Sequence, residues 1–405
     1  MESDATDLAE FDAHDLTEFD HRGPACLAED PRPFLRALRE RCPVGHTDAH
    51  GGSYFLSTYR DVYAASTNPA VYSSAHGVSV PPHGLAMMPP IEYDPPMSAA
   101  FRTPLMPHFS PRAIAAHEPR IRATVHELID TFVERGEADL ATELSLPLPA
   151  IIIAPVLGIP PEDREKMQAW AEGIASGGEG ISLDAAIAAT GYFAELYDRR
   201  AAEPADDLTT LVMNLDILGR RITKEEYLPL MVILMTGGLD TTTSAASHMM
   251  YYLAQHPDQR EQLIARPELI PAAVEELLRT STPIPVQART MQRDVSLSGV
   301  HIPAGERVQL VFMSANHDPA EFPEPDTIDF ERFPNRHFAF GIGVHRCLGA
   351  HLARLELKVL LEVVLDRIPD YAVVPPGIVR RSGVIRGVSS LPVRFTPGAR
   401  VGGTG

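Results

Sequence analysis

The sequence predicts a mainly α protein with small β-sheets, an α+β architecture built as one large domain. Three observations carry that prediction. Apolar residues recur at helical spacing over long stretches, at 114–135, 183–202, 227–255 and 348–367. Strand-like runs are short, as at Tyr54–Ser57 and between Val384 and Val393. The 37 prolines are scattered as punctuation, and neither a repeat nor a Gly/Ser linker divides the 405 residues.

The elements follow in order. Residues 1–23 hold eight acidic residues against Arg22 and read as a solvated, partly flexible arm. The main domain is expected over 24–397, with a loose tail at 398–405. Phe34–Arg41 reads as a helix, Tyr54–Ser57 as a strand after Gly51-Gly52, and Tyr59–Thr67 as a helix. Residues 75–91, with four prolines and the Met87-Met88 pair, form a long loop of the kind that often binds or covers a ligand. Ser110-Pro111 is a cap and first-turn signal for a helix running to Arg135. The uncharged run Leu144–Pro161 carries five prolines, which rules out a membrane-spanning helix there. Thr223-Lys-Glu-Glu226 fits a capping box, and Tyr227–Gln255 follows with Asp240 as its one charge. A helix apolar all round is a buried one, with Pro229 expected to kink or restart it. Helices are expected at Pro257–Ala265 and Pro271–Thr280, strands and loops to Arg346, and a last helix at Leu348–Arg367. Its stripe is Leu348, Leu352, Leu355, Val359 and Val363, with Glu356 largely outside it.

Composition narrows the function. A net charge of −19 argues against a nucleic-acid binder and against adhesion to anionic membranes. Three dispersed cysteines, Cys26, Cys42 and Cys347, make neither a disulfide framework nor a zinc knuckle. They point to a reducing, cytoplasmic setting.

Four constellations could carry chemistry. Cys347 lies in Phe340-Gly341-Ile342-Gly343-Val344-His345-Arg346-Cys347-Leu348-Gly349, before a long helix. Glycines allow close approach, and a helix N-terminus with His345 and Arg346 favours a thiolate metal ligand; an ordinary buried thiol is the alternative. Thr236-Gly237-Gly238-Leu239-Asp240-Thr241 puts two glycines and a carboxylate inside an apolar helix, either as a packing notch or as a proton path beside a ligand. Glu276 and Arg279, three apart, read by default as a surface helix pair and gain meaning only in company with the other motifs. Arg102, Arg289 and His345 could together neutralise two carboxylates of a cofactor.

With these residues in view, the chain resembles the cytochrome P-450 haem-thiolate monooxygenases. The Cys347 decapeptide matches the family's F-x-x-G-x-x-x-C-x-G pattern. Gly237–Thr242 matches its oxygen-activating helix, and Glu276-x-x-Arg279 its Glu/Arg motif. Asp329–Arg332 matches the segment that completes the ion-pair network. Soluble bacterial members of the camphor-monooxygenase type are the nearest flavour. Ile270–Arg279, Asp94-Pro95-Pro96 with Arg102, and Ser382–Ile385 suggest it.

The resemblance implies one domain with haem b held between the central helix and the Cys347 loop. It makes Cys347 the axial iron ligand, with Arg102, Arg289 and His345 on the propionates. Phe340, Gly341 and Gly349 would lie against the cofactor. Asp240 and Thr241 would deliver protons to dioxygen, and Glu276, Arg279 and Arg332 would form a structural network. Substrate contacts would come from Met87, Met88, Ile233, Thr236, Gly237, Ile284, Val286, Val384 and Ile385, an apolar set suited to a terpenoid, aromatic, steroid or macrolide-like molecule. A ferredoxin and its NAD(P)H-dependent reductase would supply electrons, with Arg346 near the docking face. Two departures stand out. Ser98 replaces a histidine that many bacterial members place against a propionate, and Pro104 and Pro107 predict a short helix after Arg102. A peroxide-driven peroxygenase and a non-catalytic haem sensor or carrier are the rival functions; the intact Asp240-Thr241 pair weighs against both.

Overall fold

Thr223 opens the element around which the chain is built. Its hydroxyl accepts from Glu226 N at 3.3 Å while the Glu226 carboxylate accepts from Thr223 N at 3.0 Å, a closed capping box. The helix that follows, Lys224–Gln255, runs 32 residues and buries side chains on every face. It does not restart at Pro229. The proline costs one amide donor in the first two turns, and burial of Tyr227, Leu230 and Met231 around it holds the helix in line. The computed structural model describes residues 11–401 except Glu29, His83, Leu85, Ala86, 177–181 and Ser382.

Helices Pro147–Leu157, Arg164–Ser176, Leu183–Ala202, Ile270–Ser281 and Ala350–Arg367 pack around this axis and share one core with it. Pro147–Leu157 absorbs three of the five prolines of its run, two of them in the first turn, where an amide has no partner to lose. Among the described residues no helix is long and apolar enough to cross a membrane. The expected helix to Arg135 is two pieces, Pro111–Ala115 and Glu118–Asp130. Pro119 in the second turn's opening cannot continue the first. The helix Met97–Arg102 is short, as Pro104 and Pro107 predict.

Beside the helices lies a five-stranded sheet in the order Val44–Thr47, Ser53–Leu56, Arg307–Val311, Val286–Met291, Tyr72–Ser73. All its pairs are antiparallel except Ser53–Leu56 with Arg307–Val311. A hairpin, Val379–Arg381 with Gly387–Ser390, packs on the central helix.

The chain ends differ from expectation. Residues 1–10 and 402–405 lie outside the described residues. From Phe11 onward the acidic arm is docked: Ala13–Thr17 is a capped helix, and Leu16 and Phe19 are 2% and 0% exposed. Phe11 meets Phe34 edge-on, Phe19 stacks on Phe34 and lies tilted against Phe55, so four acidic residues ride on an apolar underside. The start of the tail is fixed too. Val401 N donates to Asp130, Ala399 O accepts from Arg367, and Arg400 pairs with Glu134.

Glu356 also departs from expectation. It is 2% exposed on the core side of Ala350–Arg367, its Oε2 has no hydrogen-bond partner, and burial pushes its carboxyl up to about 8. The unfolded chain releases this proton near the ordinary value of 4.5. Stability from the site therefore falls as pH rises from there to about 8, by up to about 1.4 kcal/mol per pH unit. Glu356→Gln is expected to raise the melting temperature at pH 8 and to leave it nearly unchanged at pH 4. An equal effect at both pH values would contradict the burial argument.

Candidate functional site

The Cys347 loop is folded by its own backbone. Gly341 N donates to Phe338 O and Cys347 N to Phe340 O, each at 2.7 Å. Gly343 has φ +70°, and a Cβ on it would lie 2.5 Å from Ser66 O, so only glycine lets the loop seat on the end of helix Tyr59–Thr67. Gly349 caps Ala350–Arg367, and its amide donates to the Cys347 sulfur. Cys347 keeps exposed surface although protein packs closely around its sulfur. The thiol therefore opens onto internal space.

Burial pushes the Cys347 thiol up, and the Gly349 amide with Arg102, Arg354 and Arg346 only partly offsets it. The helix end and the cations thus do not ionise the sulfur by themselves, contrary to expectation; a metal must displace the proton. His345 adds no charge either. Burial, and next Arg289, hold its imidazole down at about 4. Its Nε2 lies 3.1 Å from Ser74 Oγ. Ser74 is set by Asp94, which accepts from Ser74 N at 2.9 Å and from the Ser73 hydroxyl. This gives the Asp94-Pro95-Pro96 motif a local task.

Arg289 stands on strand Val286–Met291, whose neighbour is Tyr72–Ser73. It is 3% exposed, and burial pulls its guanidinium down to about 10. It donates to Ala288 O at 2.7 Å and lies 3.5 Å from Gln287 Oε1, with no carboxylate in ion-pair range among the described residues. Arg102, at the end of Met97–Arg102, has Cys347 and Arg346 as its nearest charges. Both arginines thus act on His345, and Arg102 also on the thiol, with no carboxylate in ion-pair range of either among the described residues. Ser98 is buried with no partner for its hydroxyl.

On the central helix, a Cβ added at Gly237 would meet nothing within 4 Å, so the helix faces open space there. Thr241 Oγ1 donates to Gly237 O at 2.8 Å, which leaves its oxygen free to accept. Thr236 is buried and donates to Val232 O at 3.0 Å. Asp240 is 1% exposed.

Glu276 forms the predicted network. It takes Arg279 through both oxygens at 2.8 Å, Arg332 Nε at 3.1 Å, Asp329 N at 3.1 Å and Asn335 Nδ2 at 3.0 Å. Arg279 also donates to Asn316 O and Pro325 O. Sequence reasoning missed the neighbouring set. Glu275 takes Arg354 at 2.7 Å twice and lies 3.2 Å from His337 Nε2; Arg354 in turn lies over the Phe340 ring at 4.2 Å. Burial pushes the Glu275 carboxyl up, but the hydrogen bonds from His337 and Arg354 outweigh it and hold the carboxyl down at about 2. The pairing spans 79 residues, and no local pattern marks it.

The expected substrate residues are spread over several segments. Met88 is buried and Met87 exposed. The loop they belong to is tied by Glu92, which accepts from Val78 N and Met88 N, and by Arg307, which donates to His76 O and Ser79 O. Ile233 and Ile284 are half-buried. Val286 packs with Phe34 and Phe55 in the sheet-side core. In the hairpin Val384 is half-buried and Ile385 buried, while Ser382 lies outside the described residues.

The fold and this site define a haem-thiolate enzyme, and comparison agrees. The cytochrome P-450 family profile matches residues 194–368. The steroid C26-monooxygenase of Mycolicibacterium smegmatis is 34% identical over 380 residues, covering 91% of this chain and 94% of that one. The mycinamicin IV hydroxylase/epoxidase of Micromonospora griseorubida is 38% identical over 315 residues, 75% of this chain and 79% of that one. A Bacillus megaterium enzyme solved in complex with testosterone superposes with a TM-score of 0.84 at 28% identity, covering 90% of this chain and 98% of that one. The chain belongs to the cytochrome P-450 family and is an oxidoreductase of the monooxygenase class.

The residues fit the family's cofactor. An iron porphyrin needs a soft ligand facing open space, counter-charges for two carboxylates and clearance for a flat ring. Cys347 opens inward, and Arg102 and Arg289 form no ion pair among the described residues. A Cβ at Gly341 would meet only His345 O, at 3.8 Å, and one at Gly349 only the Cys347 sulfur, at 4.0 Å.

Proposed function

We propose that the chain binds haem b through Cys347 and inserts one oxygen atom from dioxygen into a compact apolar substrate, by hydroxylation or epoxidation. Electrons would come from a separate ferredoxin and its NAD(P)H-dependent reductase, in the cytoplasm. The observation that carries the reading is the Cys347 thiol beside Arg102, with Arg289 at the neighbouring His345 and neither arginine in an ion pair among the described residues. When bound, the haem supplies reductive activation of dioxygen, which no side chain can perform.

The chain's residues take the remaining tasks. Arg102 and Arg289 hold the two propionates, and a neutral His345, set by Ser74 and Asp94, donates a hydrogen bond. Phe340, Gly341 and Gly349 lie against the ring. Thr241, its own proton held by Gly237 O, accepts a hydrogen bond at the oxygen-binding space and so holds the proton donor in place, with Asp240 as the acid that resupplies the proton. Exposed Arg346, with no acidic partner among the described residues, suits an acidic electron donor.

Met87, Met88, Ile233, Ile284, Val286, Val384 and Ile385 would supply the apolar contacts to the substrate. Apolar lining with Thr236 satisfied inside its own helix favours substrates recognised by shape. The steroid and macrolide enzymes among the relatives favour a steroid or macrolide-like ligand over a terpenoid or a simple aromatic.

Thr241→Ala is expected to keep haem binding and the thiolate spectrum while diverting most reducing equivalents to hydrogen peroxide. Fully coupled turnover in that variant would remove Thr241 from proton delivery. The overall test is turnover of a steroid and macrolide panel with ferredoxin, reductase and NAD(P)H, set against hydrogen peroxide alone. Activity only with peroxide would overturn the reading in favour of a peroxygenase. Activity with neither, from intact holoprotein, would favour a sensor or carrier.

A further inference from the structure

Farther along the central helix, on the face carrying His248 and Tyr252, lies a cavity of about 500 Å³. Its other walls include the start of helix Arg32–Arg41 and the hairpin arginines Arg380 and Arg386. The charges along it do not balance. Asp30 is held by Arg32 through two contacts of 2.6 Å, and Asp326 by Arg36 at 2.7 Å. Arg380 and Arg386 have no carboxylate partner among the described residues. Arg380 sits over the Tyr251 ring at 5.4 Å, while the Arg386 guanidinium donates no hydrogen bond to the protein.

A guanidinium has five donors, and enclosing it without acceptors is costly. Arg386 is half-buried at the cavity wall: desolvation lowers its pKa, and Arg380 lowers it further. His248 adds a second anomaly. It is half-buried, and its Nδ1 is shielded from solvent with no hydrogen-bond partner among the described residues. Burial, then Arg386 and Arg380, hold this imidazole neutral, with its pKa near 3. Unsatisfied donors from two elements therefore border one cavity.

The wall beside them is flat and aromatic. Tyr252 stacks on His256 at 4.0 Å and 17°, next to Tyr251. The position of Arg386 is fixed from behind. Ser244 donates to Arg386 O, and a Cβ on Gly387 would come within 2.9 Å of Ser244 Oγ.

We propose that this cavity is a second ligand site, apart from the haem pocket, for a small organic carboxylate held by Arg380 and Arg386 with His248 as a further hydrogen-bond partner. The aromatic wall favours an organic anion over an inorganic one.

The experiment is calorimetric titration of the haem-loaded enzyme with sodium benzoate, at ionic strength held constant with chloride. The absorbance spectrum is followed in parallel, and inorganic phosphate serves as the comparison anion. A saturable 1:1 heat with an unmoved Soret band is expected, weakened at least tenfold in Arg386→Gln and in Arg380→Gln. The melting temperature of Arg386→Gln without benzoate should be no lower than wild type, because the charge removed had no partner. If that variant does not fold, Arg380→Gln alone decides. The proposal fails if no saturable heat appears, which would leave Arg386 to water. It also fails if the variants bind benzoate as wild type does, if the heat tracks a Soret shift, or if phosphate binds and benzoate does not.

Discussion

Cys347→His is expected to abolish the strongly red-shifted Soret band that a thiolate-ligated haem gives when reduced and bound to carbon monoxide. Turnover should fall on the order of a hundredfold or more, the scale for losing one preorganised charge at a reacting centre. The site is built for a ligand that becomes an anion. Three arginines, Arg102, Arg354 and Arg346, and the Gly349 amide act on the sulfur in the direction of its ionised form. Burial alone keeps the free thiol protonated, so the charge appears only when a metal displaces the proton. Imidazole can coordinate iron but brings no negative charge. The three arginines would then face a neutral ligand, and the electron donation that favours O–O cleavage would be lost. The measurement is the difference spectrum of the dithionite-reduced protein with and without carbon monoxide. A band unchanged in the variant would sink the assignment of Cys347 as ligand. A wild-type band at the position of histidine- or thiol-ligated haem would do the same.

Elements whose causes are local were legible in the sequence. The Thr223 capping box set the start of the central helix at the right residue, and the flanking signals set Tyr59–Thr67, Leu183–Ala202 and Pro257–Ala265. The Cys347, Gly237–Thr242, Glu276 and Arg332 motifs were readable for the same reason, since each is a fixed spacing of residue types. What escaped was decided by distant partners. Whether Asp12–Asp20 floats or docks depends on Phe34 and Phe55, which the arm's own composition does not reveal. Glu356 follows the helical polar pattern yet points into the core, because the surrounding helices cover its face. The neutrality of His345 comes from Arg289, on a strand 56 positions earlier, and from burial that sequence cannot measure.

Glu276→Ala is expected to prevent stable haem incorporation, although Glu276 belongs to no site residue's own loop. Its carboxylate is fully buried and accepts from Arg279, Arg332, Asp329 N and Asn335. Truncation would leave two guanidinium groups in the interior with their carbonyl partners alone, at Asn316, Pro325 and Thr327 for Arg279 and at Pro323, Glu324 and Thr327 for Arg332. Breaking a buried pair from one side costs about 3–5 kcal/mol. Total stabilities run about 5–15 kcal/mol, so the loss takes a large share. The damage is also directional. Asp329, Arg332 and Asn335 lie on the segment leading into Phe338 and the Cys347 loop, and Asn316, which Arg279 holds, accepts from Phe338 N at 2.7 Å. Losing Glu276 therefore loosens the approach to the ligand loop before it touches the ligand. Glu276→Gln keeps the shape and one acceptor but removes the charge, and should fall between alanine and wild type. Urea unfolding and the haem-to-protein absorbance ratio, measured on all three proteins, check the order. A Glu276→Ala protein that unfolds with wild-type midpoint and full haem content would show that Arg279 and Arg332 are held by backbone carbonyls alone.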